Sequence, residues 1–155
     1  MEKLKVGELC QPSCSVALFV HENDGIEVAI RRFASQPDVH VLFVVDDKRR
    51  LKGLVKIRHL LNWVRLRLGV RRAHRNITVA EAFDVVKLSQ SSKIGDIISP
   101  AVSVKLDDLL AHAFNLMANK KLVELAVVNK KNELIGEVKL TGIMSHLLNS
   151  KDYSK

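Results

Sequence analysis

The stretch DGIEVAIRRFASQPDVHVLFVVDDKRRLKGLVKIRHLL, Asp24 to Leu61, lies over DDLLAHAFNLMANKKLVELAVVNKKNELIGEVKLTGIM, Asp107 to Met144, at a constant offset of 83. The overlay sets Val44-Val45-Asp46 on Val127-Val128-Asn129 and Gly53 on Gly136. Upstream, VGELCQPSCSV (Val6 to Val16) matches IGDIISPAVSV (Ile94 to Val104) at an offset of 88, pairing Gly7 with Gly95, Pro12 with Pro100 and Ser15 with Ser103. The chain is a tandem repeat. The expected division is repeat 1 over residues 1–68, a connecting segment over 69–93, repeat 2 over 94–150 and a tail over 151–155.

Each copy predicts the order strand, helix, strand, strand, helix. In the second, SVKLDD supplies a short strand and a helix start with Asp107 as the expected N-cap, because a carboxylate can accept the unpaired amides of the first turn. Leu109, Leu110, Ala113, Leu116 and Met117 form that helix's apolar stripe. Leu122 to Asn129 and Glu133 to Leu140 read as two strands joined by a turn at Asn129 to Asn132. A last helix begins near Thr141 and carries Ile143, Met144, Leu147 and Leu148. In the first copy the same reading buries Ile57, Leu60, Leu61, Val64 and Leu68 and leaves Arg58, Asn62 and Arg65 wet. The fold class is α/β (α+β): two such repeats packed as a pair, each with a mixed sheet carrying helices on one face.

Composition bounds the function. With 155 residues, 47% hydrophobic and 27% charged, the chain can build a core without metals or disulfides. No apolar run is long enough to span a bilayer, and MEKLKVGELC lacks the features of a secretory signal, so a cytoplasmic protein with no membrane partner is expected. Cys10 and Cys14 have neither zinc-pair spacing nor a second ligand pair and read as reduced thiols. His21, His40, His59, His74, His112 and His146 form no metal-ligand spacing, and no G-x-S-x-G, H-E-x-x-H or Walker loop is present. A non-catalytic protein without covalent cofactor or metal is expected.

The net charge of +8 is local. Lys48 to Arg75 holds eleven of the 25 Lys and Arg and no acid, leaving 14 basic against 17 acidic residues elsewhere. Such a stretch suits phosphates, a nucleic-acid backbone or an anionic membrane, and equally a solvated helix face. Trp63 and Tyr153 are the only tryptophan and tyrosine, so no aromatic ladder exists for stacking bases. In the connection, Thr78 and Glu81 form a capping-box signature ahead of a helix expected over Val79 to Leu88.

Both copies resemble the cystathionine β-synthase (CBS) domain. The opening segments Val6-Gly7-Glu8-Leu9 through Pro12 and Ile94-Gly95-Asp96-Ile97 through Pro100 carry the likeness, with the strands Leu42-Phe43-Val44-Val45-Asp46 and Leu125-Ala126-Val127-Val128-Asn129 and the glycines Gly53 and Gly136. The resemblance implies an intramolecular pair, or Bateman module, with clefts for AMP, ADP, ATP or a related adenosyl ligand. It also implies homodimers and regulation of an attached or partner protein.

In that family a Thr or Ser near the end of the last strand holds phosphate or ribose, and an Asp three residues later takes the ribose hydroxyls. Here Lys56 and His59 occupy those positions in the first copy, and Lys139 and Gly142 in the second. Glycine offers no side chain and histidine at most one acceptor, so ribose recognition weakens. A lysine near phosphate contributes on the order of a few kcal/mol, which shifts the expected ligand toward phosphates. The candidate ligand residues are Lys56, Arg58, His59, Lys139, Thr141 and Gly142, with Thr141 also readable as a helix cap. LIGEVKLTGIM, Leu134 to Met144, is thereby a strand-to-helix corner and no P-loop. Two functions stand: a nucleotide-sensing regulatory module, or a basic module that docks on nucleic acid or another anionic partner without a small ligand.

Overall fold

The computed structural model describes residues 3–10, 19–69 and 93–150. The helix expected over Val79 to Leu88, together with Cys14, His74 and Tyr153, lies outside them. The element order is β1 (Phe19–His21), α1 (Ile26–Ser35), β2 (Val41–Val45), β3 (Leu51–Lys56), α2 (Leu61–Leu68), β4 (Ser103–Val104), α3 (Leu110–Lys120), β5 (Glu124–Val128), β6 (Leu134–Lys139) and α4 (Leu140–Asn149). Short 3-10 turns stand at Val6–Glu8, Ile57–Leu60 and Ile94–Asp96. The two sheets run β1-β2-β3 and β4-β5-β6. β1 pairs with β2 in parallel, and β4 with β5 likewise, while β5 and β6 are antiparallel. The strand-helix-strand-strand-helix order holds in both copies.

The compact units divide the chain differently from the repeats. One comprises Leu18–Asp47 and Lys52–Pro100; the other comprises Met1–Ala17, Lys48–Leu51 and Ala101–Lys155. We call them the first-copy and second-copy units after the sheets they contain. Each takes the opening segment of the opposite repeat. Ile94 and Ile97 belong to the first-copy core with Val20, Ala29, Phe33, Leu42, Val44 and Val55. Val6 belongs to the second-copy core with Val104, Ala113, Met117, Leu125, Val127 and Val138. Fully burying one such aliphatic side chain contributes about 1.5–3 kcal/mol, so each opening segment is held chiefly by its apolar residues.

The helix starts show how this exchange is wired. The amide of Ile94 donates to the carbonyl of Asp24 at 2.9 Å and that of Gly95 to Glu22 at 2.9 Å. Correspondingly, Val6 donates to Asp108 and Gly7 to Leu106, each at 2.9 Å. The amide of Leu110, first in α3, donates to the carbonyl of Leu4 at 2.7 Å, so a main-chain carbonyl meets one of the donors that a helix start leaves open. Asp107 is therefore not the N-cap. That position is Leu109, without a side-chain cap, and Asp107 is exposed 3.9 Å from Lys5 Nζ.

These contacts also correct the repeat register. The N-caps Gly25 and Leu109, and the buried triads Ile26/Ala29/Phe33 and Leu110/Ala113/Met117, stand 84 apart, whereas the later strands stand 83 apart. The first copy spends one more residue between helix and strand, a loop that includes Pro37. A gapless overlay hides this because both helices present the same apolar spacing.

The hairpin expected at Asn129 to Asn132 forms. Asn129 Oδ1 accepts from the amides of Lys131 at 3.0 Å and Glu133 at 2.9 Å, and Asn132 has φ 63°. The stripe expected on α2 is not buried. Leu60 is in the core, but Ile57, Leu61, Val64 and Leu68 are exposed, Leu68 by 70%. The backbone forms a 3-10 turn before α2, which breaks the continuous 3.6-residue period the stripe assumed. Trp63 packs on the core instead, and Arg65 is half-buried.

Candidate functional site

Each unit ends its last strand on a lysine that turns directly into helical backbone. In the first-copy unit Lys56 closes β3 and is the N-cap of the Ile57–Leu60 turn. Its amide donates to His59 Nδ1 at 3.1 Å, so Nδ1 is the unprotonated nitrogen and Nε2 carries the proton in the neutral ring. His59 Nε2 lies 3.4 Å from Ser99 Oγ, on the opening segment of the second copy. Both ring nitrogens are thus engaged, and His59 cannot serve as the sugar-hydroxyl acceptor in this state. Lys56 is half-buried and Arg58 exposed. Burial, then the charge of Arg58, lowers the Lys56 pKa below its usual range. Among the described residues no acidic side chain pairs with it.

The opening segment is pressed against this corner. Leu54 and Ser99 exchange backbone hydrogen bonds at 2.9 Å each way. A Cβ on Gly53 would stand 2.6 Å from the Ser99 carbonyl oxygen and 3.1 Å from Ile98 Cβ, which is why the strand carries glycine here.

In the second-copy unit Lys139 closes β6 and is the N-cap of α4. Thr141 is exposed in the first turn of α4 and is not its cap. The helix begins one residue earlier than the sequence suggested, because the strand runs to Lys139 and the Leu140 amide donates to the carbonyl of Val123 at 2.9 Å. Gly142 is exposed, with open space where a Cβ would be. Lys139 Nζ is 3.4 Å from Glu137 Oε1, so this lysine, unlike Lys56, is already paired.

Sequence reading missed three residues beside Lys139. Glu124 and Glu137 are buried on neighbouring strands, Glu124 facing Lys139 in register and Glu137 facing Ala126. One sheet face therefore carries all three side chains. Cys10, half-buried, bonds to the backbone of Glu137, and burial raises its thiol pKa. Burial likewise raises the Glu137 carboxyl above its ordinary 4.5, against the opposing charge and hydrogen bond of Lys139. Polar residues inside an apolar strand were the available signal. Among the described residues no group of His, Cys, Asp and Glu is arranged to hold a metal ion.

Two mixed three-stranded units, each completed by the opening segment of the other repeat and each closing its last strand on a lysine before a helix, define a tandem CBS pair, or Bateman module. The chain belongs to the CBS domain family, whose pattern matches residues 6–66 and 94–149. Over 87 residues it is 33% identical to inosine-5'-monophosphate dehydrogenase of Aquifex aeolicus, a match covering 56% of this chain and 17% of that protein. The chain thus covers about a sixth of that relative's length. In structure it is similar to a CBS domain-containing protein from Thermotoga maritima, with TM-score 0.71, 22% identity and coverage of 98% and 99% of the two chains. It is also similar to CBSX2 in complex with AMP, a protein of Arabidopsis thaliana, with TM-score 0.69, 22% identity and coverage of 94% and 96%. Among the described residues no helix is long and apolar enough to cross a membrane.

Proposed function

We propose that this protein is a non-catalytic regulatory module that binds an adenine nucleotide or another phosphorylated ligand and passes the binding event to a partner protein. The observation that carries this reading is Lys56: a partly buried lysine at a strand end whose charge no described acid balances. An anion is what such a group lacks. The backbone of Lys56 is fixed by His59, which Ser99 contacts in turn, so the cation stands on a preformed corner. An AMP-bound protein of the same fold supports the ligand class.

The test is thermal unfolding with AMP, ADP, ATP, S-adenosylmethionine and NADH. A ligand at a hundred times its Kd that binds only the folded state adds about 2.7 kcal/mol, a rise of several degrees in Tm. Lys56→Ala should remove that rise and Lys139→Ala should reduce it less, since Glu137 already occupies Lys139. An unmoved Tm at millimolar concentrations of every ligand sinks the proposal.

Homodimerisation is part of the same reading. Leu61, Val64 and Leu68 on α2, and Met144 and Leu148 on α4, are exposed apolar residues of helices that both copies place after their last strand. A second copy would cover them. Sedimentation equilibrium should give twice the chain mass, and a monomer at tens of micromolar would contradict it. Basic docking on nucleic acid has weaker support, because the described part of the Lys48 to Arg75 stretch is split among a hairpin tip, a strand, a 3-10 turn and a helix.

A further inference from the structure

The second-copy unit holds a polar cluster where its counterpart is wholly apolar. The positions of Glu124 and Glu137 correspond, at an offset of 83, to Val41 and Leu54, and Cys10 corresponds, at 88, to Ile98. Val41 and Leu54 are buried and Ile98 packs against the first-copy core. The same backbone therefore folds around three apolar side chains, and folding does not demand the polar ones. Placing carboxylates there is costly, since an ionised group leaves water for an environment that solvates it poorly.

The geometry at Glu137 indicates what offsets that cost. Its residue exposure is 7%, and its Oε1 is held by Lys139 Nζ at 3.4 Å. Its Oε2 is buried and has no hydrogen-bond partner, and Glu124, which has an interaction of its own, likewise keeps a buried Oε2 without a hydrogen bond. Cys10 bonds to the Glu137 backbone. What remains is one buried acceptor oxygen on each carboxylate, that of Glu137 belonging to a group whose charge Lys139 already balances. Such an atom suits a neutral N–H donor better than a second cation, because Lys139 would repel a metal ion or a protonated amine. It also disfavours a phosphate, which would meet a carboxylate. Amino-bearing nucleobases present a neutral N–H donor of this kind.

We propose that Glu137 is a specificity-determining acceptor for the exocyclic amine of an aminopurine nucleotide, bound at the Cys10, Glu124, Glu137 and Lys139 cluster of the second-copy unit. This rests on the adenine-nucleotide reading above and adds a base contact that lies within the second-copy unit by itself. A site built to accept an N–H rejects the analogue that presents an oxygen instead, because two acceptors then face each other. Lys139 has the supporting role of holding one carboxylate oxygen so that the other is presented in a fixed direction.

The test compares AMP with IMP, which shares ribose and phosphate and differs by an oxo group in place of the amine. Calorimetric titration of the full chain should give AMP an affinity at least tenfold above IMP. Glu137→Leu, which reproduces Leu54, should lower AMP affinity about tenfold and bring the AMP to IMP ratio within threefold of unity. Glu137→Gln, closest in shape and still bearing an acceptor oxygen, should retain a preference for AMP and guards against loss of folding in the leucine variant. Equal affinities for AMP and IMP in the wild type, or a ratio unchanged by Glu137→Leu, overturn the base contact while leaving the nucleotide module standing. Absence of binding by either nucleotide overturns both.

Discussion

The two units share a backbone plan and differ in how each strand-end corner is filled. In the first-copy unit Leu54 and Val41 are buried, Ile98 packs on the core and no described acid pairs with Lys56, with His59 fixed beside Ser99. In the second-copy unit the same positions hold Glu137, Glu124 and Cys10 under a Lys139 that Glu137 has captured, and Gly142 leaves open space where His59 stands. One corner offers a cation and the other an acceptor. A duplicated scaffold can thus keep its core and let its strand ends diverge, since core positions are constrained by packing and these are constrained by what they meet.

The largest effect should come from imposing the second corner on the first. Leu54→Glu buries a carboxylate without the Cys10 and Glu124 surroundings and should cost about 3 kcal/mol or more in urea unfolding. A loss below about 1 kcal/mol would mean that the scaffold tolerates a carboxylate freely, and the functional argument for Glu137 would weaken. Gly53→Ala comes next, because its new methyl would stand 2.6 Å from the Ser99 carbonyl oxygen. A cost of about 2 kcal/mol is expected, with faster amide exchange at Leu54 and Ser99. A neutral outcome would show that the opening segment is held loosely.

The reverse exchange, Glu137→Leu, should stabilise the protein by about 1–2 kcal/mol at neutral pH. The sign with pH follows from burial raising the Glu137 pKa. A raised carboxyl favours folding fully below its unfolded value of 4.5 and loses that contribution as pH rises through the folded value. The gain from leucine should therefore be small near pH 4 and grow toward pH 8, and a gain that falls with pH would contradict the assignment. The smallest effect is expected for Gly142→Asp, which enters open space in the first turn of α4. Relief of the glycine and a carboxylate at a helix N-terminus together should add about 0.5–1 kcal/mol. If the variant also strengthens AMP binding, the family's ribose contact has been restored.

Much of the architecture was legible because periodicity and repetition are local signals. The hairpin from Asn129 to Asn132 could be read from its turn residues, and the core faces of α1 and α3 from their three- and four-residue spacings. The one-residue slip between Phe33 and Val41 could not be read, since a helix shifted by one still shows the same apolar composition. Asp107 looked like a cap because capping is usually local, whereas here Leu4, over a hundred residues away in sequence, supplies a carbonyl to the first turn. The α2 stripe misled for a related reason. A set of apolar residues at helical spacing states that a face wants cover, and says nothing about whether this chain provides it.

The candidate residues Lys56, Arg58, His59, Lys139, Thr141 and Gly142 were picked out by register alone. Their states were not. That His59 has both ring nitrogens engaged, and that Lys139 is paired while Lys56 is not, depends on neighbours at distances in space that sequence does not encode. Sequence by itself determined the duplicated order of strands and helices, the apolar faces and the two strand-end lysines, because each depends on residues within a few positions of one another. Only the tertiary structure decided which opening segment completes which unit and that Glu137 keeps one buried oxygen without a partner. Both are outcomes of long-range packing, in which a residue's environment is set by chain segments far from it in sequence.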